Sequence, residues 1–549
     1  MSIQRLFGDG PVPAVRDTTV SAPKRHGNAV NPYEGATMGR RTATFTPTRD
    51  AVNSVWWAST DLLVSRCRDQ VRKDSWAAKA VDEWVGNAIG TGIKPQSRHS
   101  KKGTRKKLQQ IWDQHSQECD VGGLTDMYGL QALAFRSMVE GGECFTRKHT
   151  VDDDPNLTLP LQYQIIESEQ LPYYLSRPTP ETPAGRKVVA SIEVDPAKRN
   201  KRMAYYFYKE HPGERIFYSN ALDIIRVPAD EVMHLFRPLR PGQMRGFPWL
   251  ANSLIRLWEL DQYDDAELLR KKFAAMLMAF ITRTNSDGSA FPGATDAITD
   301  VSGQTQIQTQ QQHSMDPSIQ EAMLEAGTMM DLEVGEDVKF TAPADVGGNY
   351  EAFERQMLHR IAAGVGLPYY MLTGDLSQAS YGSLRAGMLA FRRLCEQIQF
   401  GCFVFQFCRP TWKAMVEAAV LSGQISAKDY AVNKADYLAV DWRTPKWDWI
   451  DPEKDLKAEV LAVRAGFKAR SQSIHETGED PDTVSAQIKS DNEEADANEF
   501  VFDSDARRTD NRGAQKVEPV DAGEGEPPAS GSPAGGNKKK PAGSKEVIQ

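Results

Sequence analysis

A long run of apolar residues at helical spacing, between Ser383 and Leu421, constrains the fold more than any other feature of the sequence. Over Phe400–Phe407 this run is apolar on nearly every side of a helix, so it must be buried by the rest of the chain and by neighbouring copies. Pro410 lies inside the pattern and predicts a kink, because proline has no N–H to donate and clashes with the preceding turn. The sequence therefore predicts a long kinked helix with an extensive apolar contact surface.

The chain is long enough for several folded modules. Its 549 residues, 40% of them hydrophobic, suit about two to four modules of ordinary size. Residues 1–50 and 505–549 are polar and contain many Gly, Pro and charged residues, which predicts a disordered arm and a disordered tail.

No apolar run reaches about 18 residues and the start does not resemble a signal peptide, so no membrane span is expected. Six cysteines without a C-x-x-C pair indicate reduced thiols in a cytoplasm.

The charge balance limits the ways in which the protein can meet nucleic acid. The formal net charge is -8, from 66 basic and 74 acidic residues. Tight, general binding of nucleic acid needs a dense basic surface that releases counterions, and this composition excludes it. DNA that slides past the protein remains compatible with the balance.

Between the two ends, helical patterns alternate with short strands, and the predicted fold class is α+β. In the first part of the chain, a helix beginning at Ser75 is expected to end in the glycines from Gly86 onward, and a second helix has Thr125 as its N-cap. Aromatic and β-branched residues then predict strands at Cys144–His149, Leu161–Ile166 and Met203–Tyr208.

The sequence of the middle of the chain predicts two helices separated by an insertion. Apolar spacing predicts a helix from Ser253 to Ile281, and a later one is expected to begin after Asn349 and to stop at Gly364. Residues 284–345 between them differ in composition and predict a small inserted module. Its expected parts are a Gln-rich stretch at Gln304–Gln312, a helix at Met315–Ala326 and a strand at Asp331–Phe340.

Motifs for catalysis and metal binding are absent from the sequence. It contains neither a Gly-x-x-x-x-Gly-Lys-[Ser/Thr] phosphate loop nor a Gly-x-Ser-x-Gly elbow. The nine histidines lack metal-ligand spacing, and Cys395 and Cys402 share one helical face, as core residues do. We therefore expect no enzyme, no catalytic residue, no metal and no cofactor.

Four segments, in this order, resemble the lambda-type family of tailed-phage portal proteins. They are Val85–Pro95, Glu231–Pro248, Arg360–Pro368 and Ser380–Ala386. The resemblance covers residues 50–470 and implies a portal fold, assembled as a ring of twelve copies at one capsid vertex. The parts that it implies are a wing at 51–250, a first stem helix at 251–283, a clip at 284–345, a second stem helix at 346–368, a tunnel loop at 369–382, a kinked wing helix at 383–425 and a helical crown at 426–504.

The resemblance also implies a function and a set of partners. The ring would be the conduit through which double-stranded DNA enters the capsid during packaging and leaves it during ejection. Implied partners are the terminase large subunit, the major capsid and scaffold proteins, and head-completion or tail connector proteins, with assembly in the host cytoplasm and a final place in the virion. The alternative is a capsid scaffold or vertex adaptor without a DNA channel, which would form shells or filaments rather than closed rings.

Candidate channel residues follow from the same resemblance. Lys271 and Lys272 on the first stem helix and Arg385 after the tunnel loop are the basic candidates. Arg392 and Arg393 are further candidates that can also pair with an acidic residue on their own helix. The tunnel loop offers mostly uncharged polar groups, namely Thr373, Gly374, Ser377, Gln378, Ser380, Tyr381 and Gly382.

Overall fold

The structure, a computed structural model, consists of two compact units formed from interleaved parts of the chain. The first contains residues 1–81, 136–147 and 165–373, and the second contains residues 82–135, 148–164 and 374–549. The structure describes residues 40–151, 154–214, 223–275, 350–445, 447, 452–479 and 481–500, the short strands at 279–283, 298–299, 305–306 and 336–340, and residues 502, 505 and 507.

Helices account for most of the described residues. They are α1 (Val52–Lys73), α2 (Ser75–Ala88), α3 (Lys102–Glu118), α4 (Met127–Gly141), α5 (Leu254–Ala275), α6 (Tyr350–Val365), α7 (Tyr369–Thr373), α8 (Tyr381–Ile398), α9 (Arg409–Leu421), α10 (Ala427–Tyr437), α11 (Pro452–Arg464), α12 (Arg470–Glu476) and α13 (Pro481–Ala497). A π-helix at Gln399–Cys408 joins α8 to α9.

Short strands accompany the helices and form small antiparallel sheets. The strands are β1 (Lys94–Ser97), β2 (Glu143–His149), β3 (Gln162–Glu167), β4 (Lys187–Val189), β5 (Ile192–Asp195), β6 (Lys201–Tyr208), β7 (Ile224–Pro228), β8 (Val232–Phe236), β9 (Ala279–Arg283), β10 (Ile298–Thr299), β11 (Thr305–Gln306), β12 (Glu336–Phe340) and β13 (Val440–Arg443). The larger sheets have the orders β3-β2-β8 and β4-β5-β6-β7, and β1 pairs with β13. The predicted α+β class is therefore confirmed.

The core of the first unit lies over its strands. Strand β2 pairs with β8 in a register that sets Phe145 opposite His234. Phe145 packs edge-on against Tyr205 and Phe207 of β6, and such aromatic pairs stabilise a core beyond their buried area. The other buried members of this cluster are Ile166, Leu171, Ile192, Val194, Val227 and Val232.

The second unit is built around the long helical segment formed by α8, the π-helix and α9. Trp412 on α9 stacks near Trp112 on α3, and Phe403 of the π-helix packs edge-on against Phe135. The buried Gln399 donates its amide N–H to the carbonyl of Ala88, the last residue of α2. A helix end leaves such carbonyls without an intrahelical partner, so Gln399 caps α2 from a distant part of the sequence.

Two predicted helix boundaries in the first 150 residues need correction. Helix α2 continues through Gly86 to Ala88, because Gly86 has ordinary helical geometry and the turn comes only at Gly90, whose φ is positive. The N-cap of α4 is Asp126 rather than Thr125, since the Asp126 carboxylate accepts the backbone N–H of Gly129. Thr125 instead packs its side chain against Gly129.

The predicted helix from Ser253 to Ile281 is too long at its C-terminal end. Helix α5 ends at Ala275, and Ala279–Arg283 forms strand β9, paired with β12. The sequence Ala-Phe-Ile-Thr-Arg is aromatic and β-branched, and such residues prefer a strand when a partner is available. Strand β12 is the second half of the predicted strand Asp331–Phe340. The helix predicted at Met315–Ala326 and most of Gln304–Gln312 lie outside the described residues.

Helix α6 also ends later than the sequence predicted. It passes through Gly364 to Val365, and the chain reverses at Gly366, whose φ is 85°. Gly364 does not end the helix. Its lack of a side chain instead makes room for Ser253, because a Cβ at Gly364 would overlap the Ser253 hydroxyl. Ser253 donates that hydroxyl to the carbonyl of Ile361, so α6 lies directly against the segment that precedes α5.

The segment before Pro410, at which the sequence predicted a kink, is a π-helix at Gln399–Cys408. The Arg409 N–H donates to Val404, five residues back, as π-helical bonding requires. Pro410 is the second residue of α9, where a missing N–H is tolerated. Cys402, Phe403, Val404 and Phe407 are buried within the chain, whereas Phe400 and Phe405 are 49% and 62% exposed. Burial of these two residues by neighbouring copies stays a prediction.

Candidate nucleic-acid interface

The two candidate lysines, predicted to lie on a first stem helix, are adjacent on α5 and have different surroundings. The ammonium of Lys271 sits 4.9 Å from the ring centre of Tyr350 and 3.8 Å from a carboxylate oxygen of Glu267. Its side chain is still more than half exposed, and Lys272 is exposed as well. Both ammonium groups are therefore open to solvent, and Lys271 is held by a cation–π contact and a weak ion pair.

Arg385 is bound to another part of the second unit. Its guanidinium donates to Asp455 on α11 at 3.0 Å and to the hydroxyl of Tyr381 at 3.3 Å, one helical turn earlier. These hydrogen bonds, and the charge of Asp455, raise the pKa of Arg385 further. A phosphate that reaches Arg385 would have to share it with Asp455.

Arg392 and Arg393 are adjacent in sequence and differ in their contacts. The Arg392 guanidinium lies 5.2 Å from the ring centre of Trp447, which also packs edge-on against Phe391. Arg393 is exposed, and no carboxylate in the described parts of the chain pairs with it. Arg392 is thus half-buried by aromatic stacking, while Arg393 is the more accessible of the two.

The predicted tunnel loop is partly helical. Tyr369–Thr373 forms helix α7, Gly374 turns the chain with a φ of 74°, and Tyr381 and Gly382 already belong to α8. The irregular part is residues 374–380, in which Ser377 and Gln378 are exposed. This stretch also contains a charge that was not among the predicted loop residues: the Asp375 carboxylate accepts the backbone N–H of Ser377.

A reciprocal cap sets the end of this loop. The Ser380 hydroxyl accepts the N–H of Ser383, and the Ser383 hydroxyl accepts the N–H of Ser380. Such a capping box satisfies two donors that a helix start would otherwise leave free. The sequence placed the start of the long helix at Ser383, whereas the cap is Ser380 and the helix begins at Tyr381.

The segment Glu231–Pro248, which carries much of the family resemblance, folds around a buried carboxylate. Glu143 accepts a hydrogen bond from Arg245, one from the backbone N–H of Gly246 and one from the Nε2–H of His234. His234 Nδ1 in turn accepts from Arg202, which leaves the imidazole neutral with its proton on Nε2. No pattern within the sequence pointed to this network, because Glu143 is far from its partners along the chain.

Burial and the neighbouring charges shift the pKa values of Glu143 and His234. Burial acts to raise the pKa of Glu143, but Arg245 and His234 outweigh it and bring that pKa down to about 2. Burial lowers the pKa of His234 to about 3. Around neutral pH the buried network therefore contains a carboxylate, a guanidinium and an uncharged imidazole.

One grouping among the described residues has the spacing of a metal site. Ligand atoms of Glu167, Glu169 and His211 lie within 4.8 Å of one another. Arg68 already pairs with both carboxylates, at 2.7 Å from Glu167 and 2.7 Å from Glu169. A guanidinium thus supplies the positive charge that these carboxylates need, and the geometry is that of an ion-pair cluster rather than a metal centre.

The cysteine thiols of the chain are enclosed. All six cysteines are free and buried, and burial raises the pKa of Cys67, Cys119, Cys144 and Cys395 to about 12. Thiols of this kind pack as small apolar groups. None of the described helices is both long enough and apolar enough to cross a membrane.

Comparison with known families identifies the chain. The family model described as phage portal protein, lambda family, matches residues 38–399, more than half of the sequence. The chain belongs to the lambda family of phage portal proteins. All four segments that carried the resemblance lie inside the matched range, so the predicted family is confirmed. As a portal protein, the chain is a component of the virion, and its family is a structural one that conducts DNA through the capsid vertex.

Individual relatives agree with the family. The chain is 26% identical over 442 residues to the probable portal protein of Halomonas phage phiHAP-1, covering 78% of this portal protein and 80% of that one. It is 22% identical over 270 residues to portal protein B of Escherichia phage lambda, covering 46% and 49%. A chain in the neck of the native gene transfer agent particle, computed with C12 symmetry, gives a TM-score of 0.43 at 16% identity, covering 81% of this chain and 99% of that one.

Proposed function

We propose that this portal protein forms a closed ring of twelve copies through which double-stranded DNA passes, and that residues 374–380 together with Lys271 and Lys272 line the passage. Family membership is the observation that carries the ring and the conduit. The polar loop, exposed at Ser377 and Gln378, and the two solvent-exposed lysines support the lining. Their contacts with phosphate are brief and independent of base sequence.

The charge of the chain suits a conduit that does not grip its substrate. Neutralising several phosphates can change affinity by about 10³–10⁵ over a modest salt range, and such binding would stall moving DNA. The net charge is -8 and the loop contains a carboxylate, Asp375, so the proposed lining has few basic groups that its surroundings do not balance. Ring symmetry repeats those few groups around the passage.

The lining is tested by neutralising both lysines at once. In K271A/K272A we expect normal rings and less DNase-protected DNA per assembled head. K271R/K272R keeps both charges and should package like the parent. If the alanine variant packages and retains full-length DNA across a salt series, the two lysines do not line the passage.

We also propose that residues 284–345 form the clip and contact the terminase large subunit and the head-completion or tail connector proteins. Deleting Gln304–Gln312 should leave rings intact and impair packaging. Rings that disappear, or packaging that is unaffected, would contradict this role. Contacts with major capsid and scaffold proteins, made during assembly in the host cytoplasm, belong to the same proposal.

The alternative, a scaffold or vertex adaptor without a channel, differs in the particles it forms. Electron microscopy of the purified protein should show closed rings, whereas a scaffold would give shells or filaments. We further propose that the protein has no catalytic step of its own. An assay of the isolated protein for ATP hydrolysis should give only background, and sustained turnover would contradict that proposal.

A further inference from the structure

Two large aromatic side chains stand exposed on the helical segment that otherwise forms the core of the second unit. Phe400 and Phe405 are 49% and 62% exposed, although Phe403 and Phe407 on the same π-helix are completely enclosed. Gly401 beside them has open space where a side chain would be. Exposed aromatic residues grouped in this way are characteristic of protein contact surfaces.

The π-helix is the reason that these two residues share a face. In an α-helix, positions five apart point about 140° away from each other. In a π-helix the backbone bonds join residues five apart, so Phe400 and Phe405 lie nearly above one another. Arg393 precedes Phe400 by two helical turns, and the Arg409 guanidinium lies 5.8 Å from the ring centre of Phe405. These four residues are called the aromatic face.

A second exposed surface of opposite charge lies on helix α5 in the first unit. Ile255, Trp258 and Leu269 are each more than half exposed, and they recur at the spacing of a single helical ridge. Glu259 and Asp265 are exposed on the same side of the helix. The five residues, called the acidic ridge, extend for about 21 Å along the helix axis.

The charged members of both surfaces lack oppositely charged partners within the described residues. No described carboxylate pairs with Arg393 or Arg409, and no described basic group pairs with Glu259 or Asp265. Arg270 and Lys271 on the same helix are paired with Glu267. Lys272 is exposed two turns beyond Asp265 on the same side, so the ridge is acidic up to Leu269 and has one basic group at its end. The two surfaces are therefore complementary in charge and both are partly apolar.

We propose that the aromatic face of one copy packs against the acidic ridge of a neighbouring copy. The inference rests on the proposed ring and names a contact that closes it. A ring needs a head-to-tail interface between two different surfaces, and each copy carries one of each. Tryptophan and arginine are the residues that most often dominate binding at such interfaces. Two aromatic faces packed on each other would bring unpaired arginines together, which disfavours a two-fold dimer.

Charge reversal in matched variants tests the contact. R393E/R409E gives the aromatic face the charge of the ridge, and E259R/D265R gives the ridge the charge of the face. Each variant alone should lose rings by about tenfold or more relative to the parent, because like charges then meet. An equimolar mixture of the two should recover rings with alternating copies, since every interface again joins opposite charges. Class averages and sedimentation velocity measure the ring fraction.

Disulfide trapping gives a second measurement that does not depend on reversed charges. The natural cysteines are buried, so F405C with W258C adds the two accessible thiols. Mild oxidation should produce a ladder of cross-linked oligomers on a denaturing gel. L421C with W258C is the control, because Leu421 is exposed but lies about 120° around the helix from Arg409.

The outcomes separate this inference from the proposed function. If the parent forms no rings, the proposed ring fails. If the parent forms rings and both reversed variants also do, or if oxidation of F405C/W258C gives only monomers, the ring stands and the contact is wrong. Ring loss in each variant with recovery in the mixture, together with the ladder, supports the contact.

Discussion

Arg245 Nε lies 2.6 Å from an oxygen of Glu143, and the two buried residues are 102 positions apart in the sequence. The same guanidinium donates to the backbone carbonyls of Ser168, Leu171 and Ala190. Burying a charge is costly unless it is paired and fully hydrogen-bonded, and this arrangement satisfies both conditions. The pair thereby connects the start of β2 to the segment after β8.

Breaking this pair should destabilise the first unit strongly. E143Q removes the charge that compensates Arg245 and leaves a guanidinium buried without its counterion. We expect a loss of about 3–5 kcal/mol, seen as a lower temperature of the first unfolding transition or as insoluble protein. E231Q is the matched control: Glu231 pairs with Arg147 only at 3.8 Å and its side chain is 43% exposed, so loss of this pair should cost less than about 1 kcal/mol.

Stability should fall as the solution becomes acidic, starting near the ordinary pKa of histidine. Burial lowers the pKa of His234 to about 3 in the folded protein. Between pH 6.5 and 3 the imidazole is therefore protonated in the unfolded chain and neutral in the folded protein. Stability from this group is complete above pH 6.5 and is lost, by up to about 1.4 kcal/mol per pH unit, as the pH falls toward 3. Buried His115, with a pKa lowered to about 4, acts with the same sign.

Glu143 extends this acid sensitivity to lower pH. Its pKa is lowered from 4.5 to about 2, so its contribution is present above pH 4.5 and disappears as the pH falls through 2. Thermal unfolding from pH 7.5 to 4.5 should therefore show a shallower pH dependence in H234Q than in the parent. Equal slopes in the two proteins would mean that His234 does not titrate as the structure implies.

Two glycine substitutions should have opposite effects. A Cβ at Gly246 would overlap the carbonyl of Gly142, so G246A must displace the backbone and should abolish folding of the first unit. Gly86 has open space around it inside α2, and G86A should stabilise that helix by about 0.5–1 kcal/mol. Thermal unfolding and solubility of the two variants, compared side by side, check both expectations.

The pair Arg385–Asp455 offers a way to separate a DNA contact from a structural role. If Arg385 meets phosphate, R385A should package less DNA, whereas D455A frees the guanidinium and should package at least as well as the parent. If the pair only connects α8 to α11, the two variants should behave alike, since either one breaks the same 3.0 Å contact. DNase-protected DNA per head, measured with equal amounts of assembled rings, distinguishes the cases.

The C-terminal end of helix α5 differs between the sequence-based prediction and the tertiary structure. Apolar spacing correctly predicted a helix through most of this region and would also allow it to reach Ile281. The chain leaves the helix after Ala275 because Ala279–Arg283 finds a partner strand in β12, more than fifty residues later. Periodicity reports only which residues share a face, and it contains no information about a distant strand that competes for the same backbone donors.

The sequence by itself determined the family, the α+β class and the existence of the long apolar helical segment, because motifs and helical period act over a few turns of chain. Only the tertiary structure decided that Glu143, His234 and Arg245 form one buried network, and that Gln399 caps a helix ending at Ala88. It alone revealed that a π-helix turns Phe400 and Phe405 to one exposed face. Burial and long-range hydrogen bonds depend on which segments the fold brings together. Contacts between residues a hundred positions apart produce no local sequence pattern from which they could be predicted.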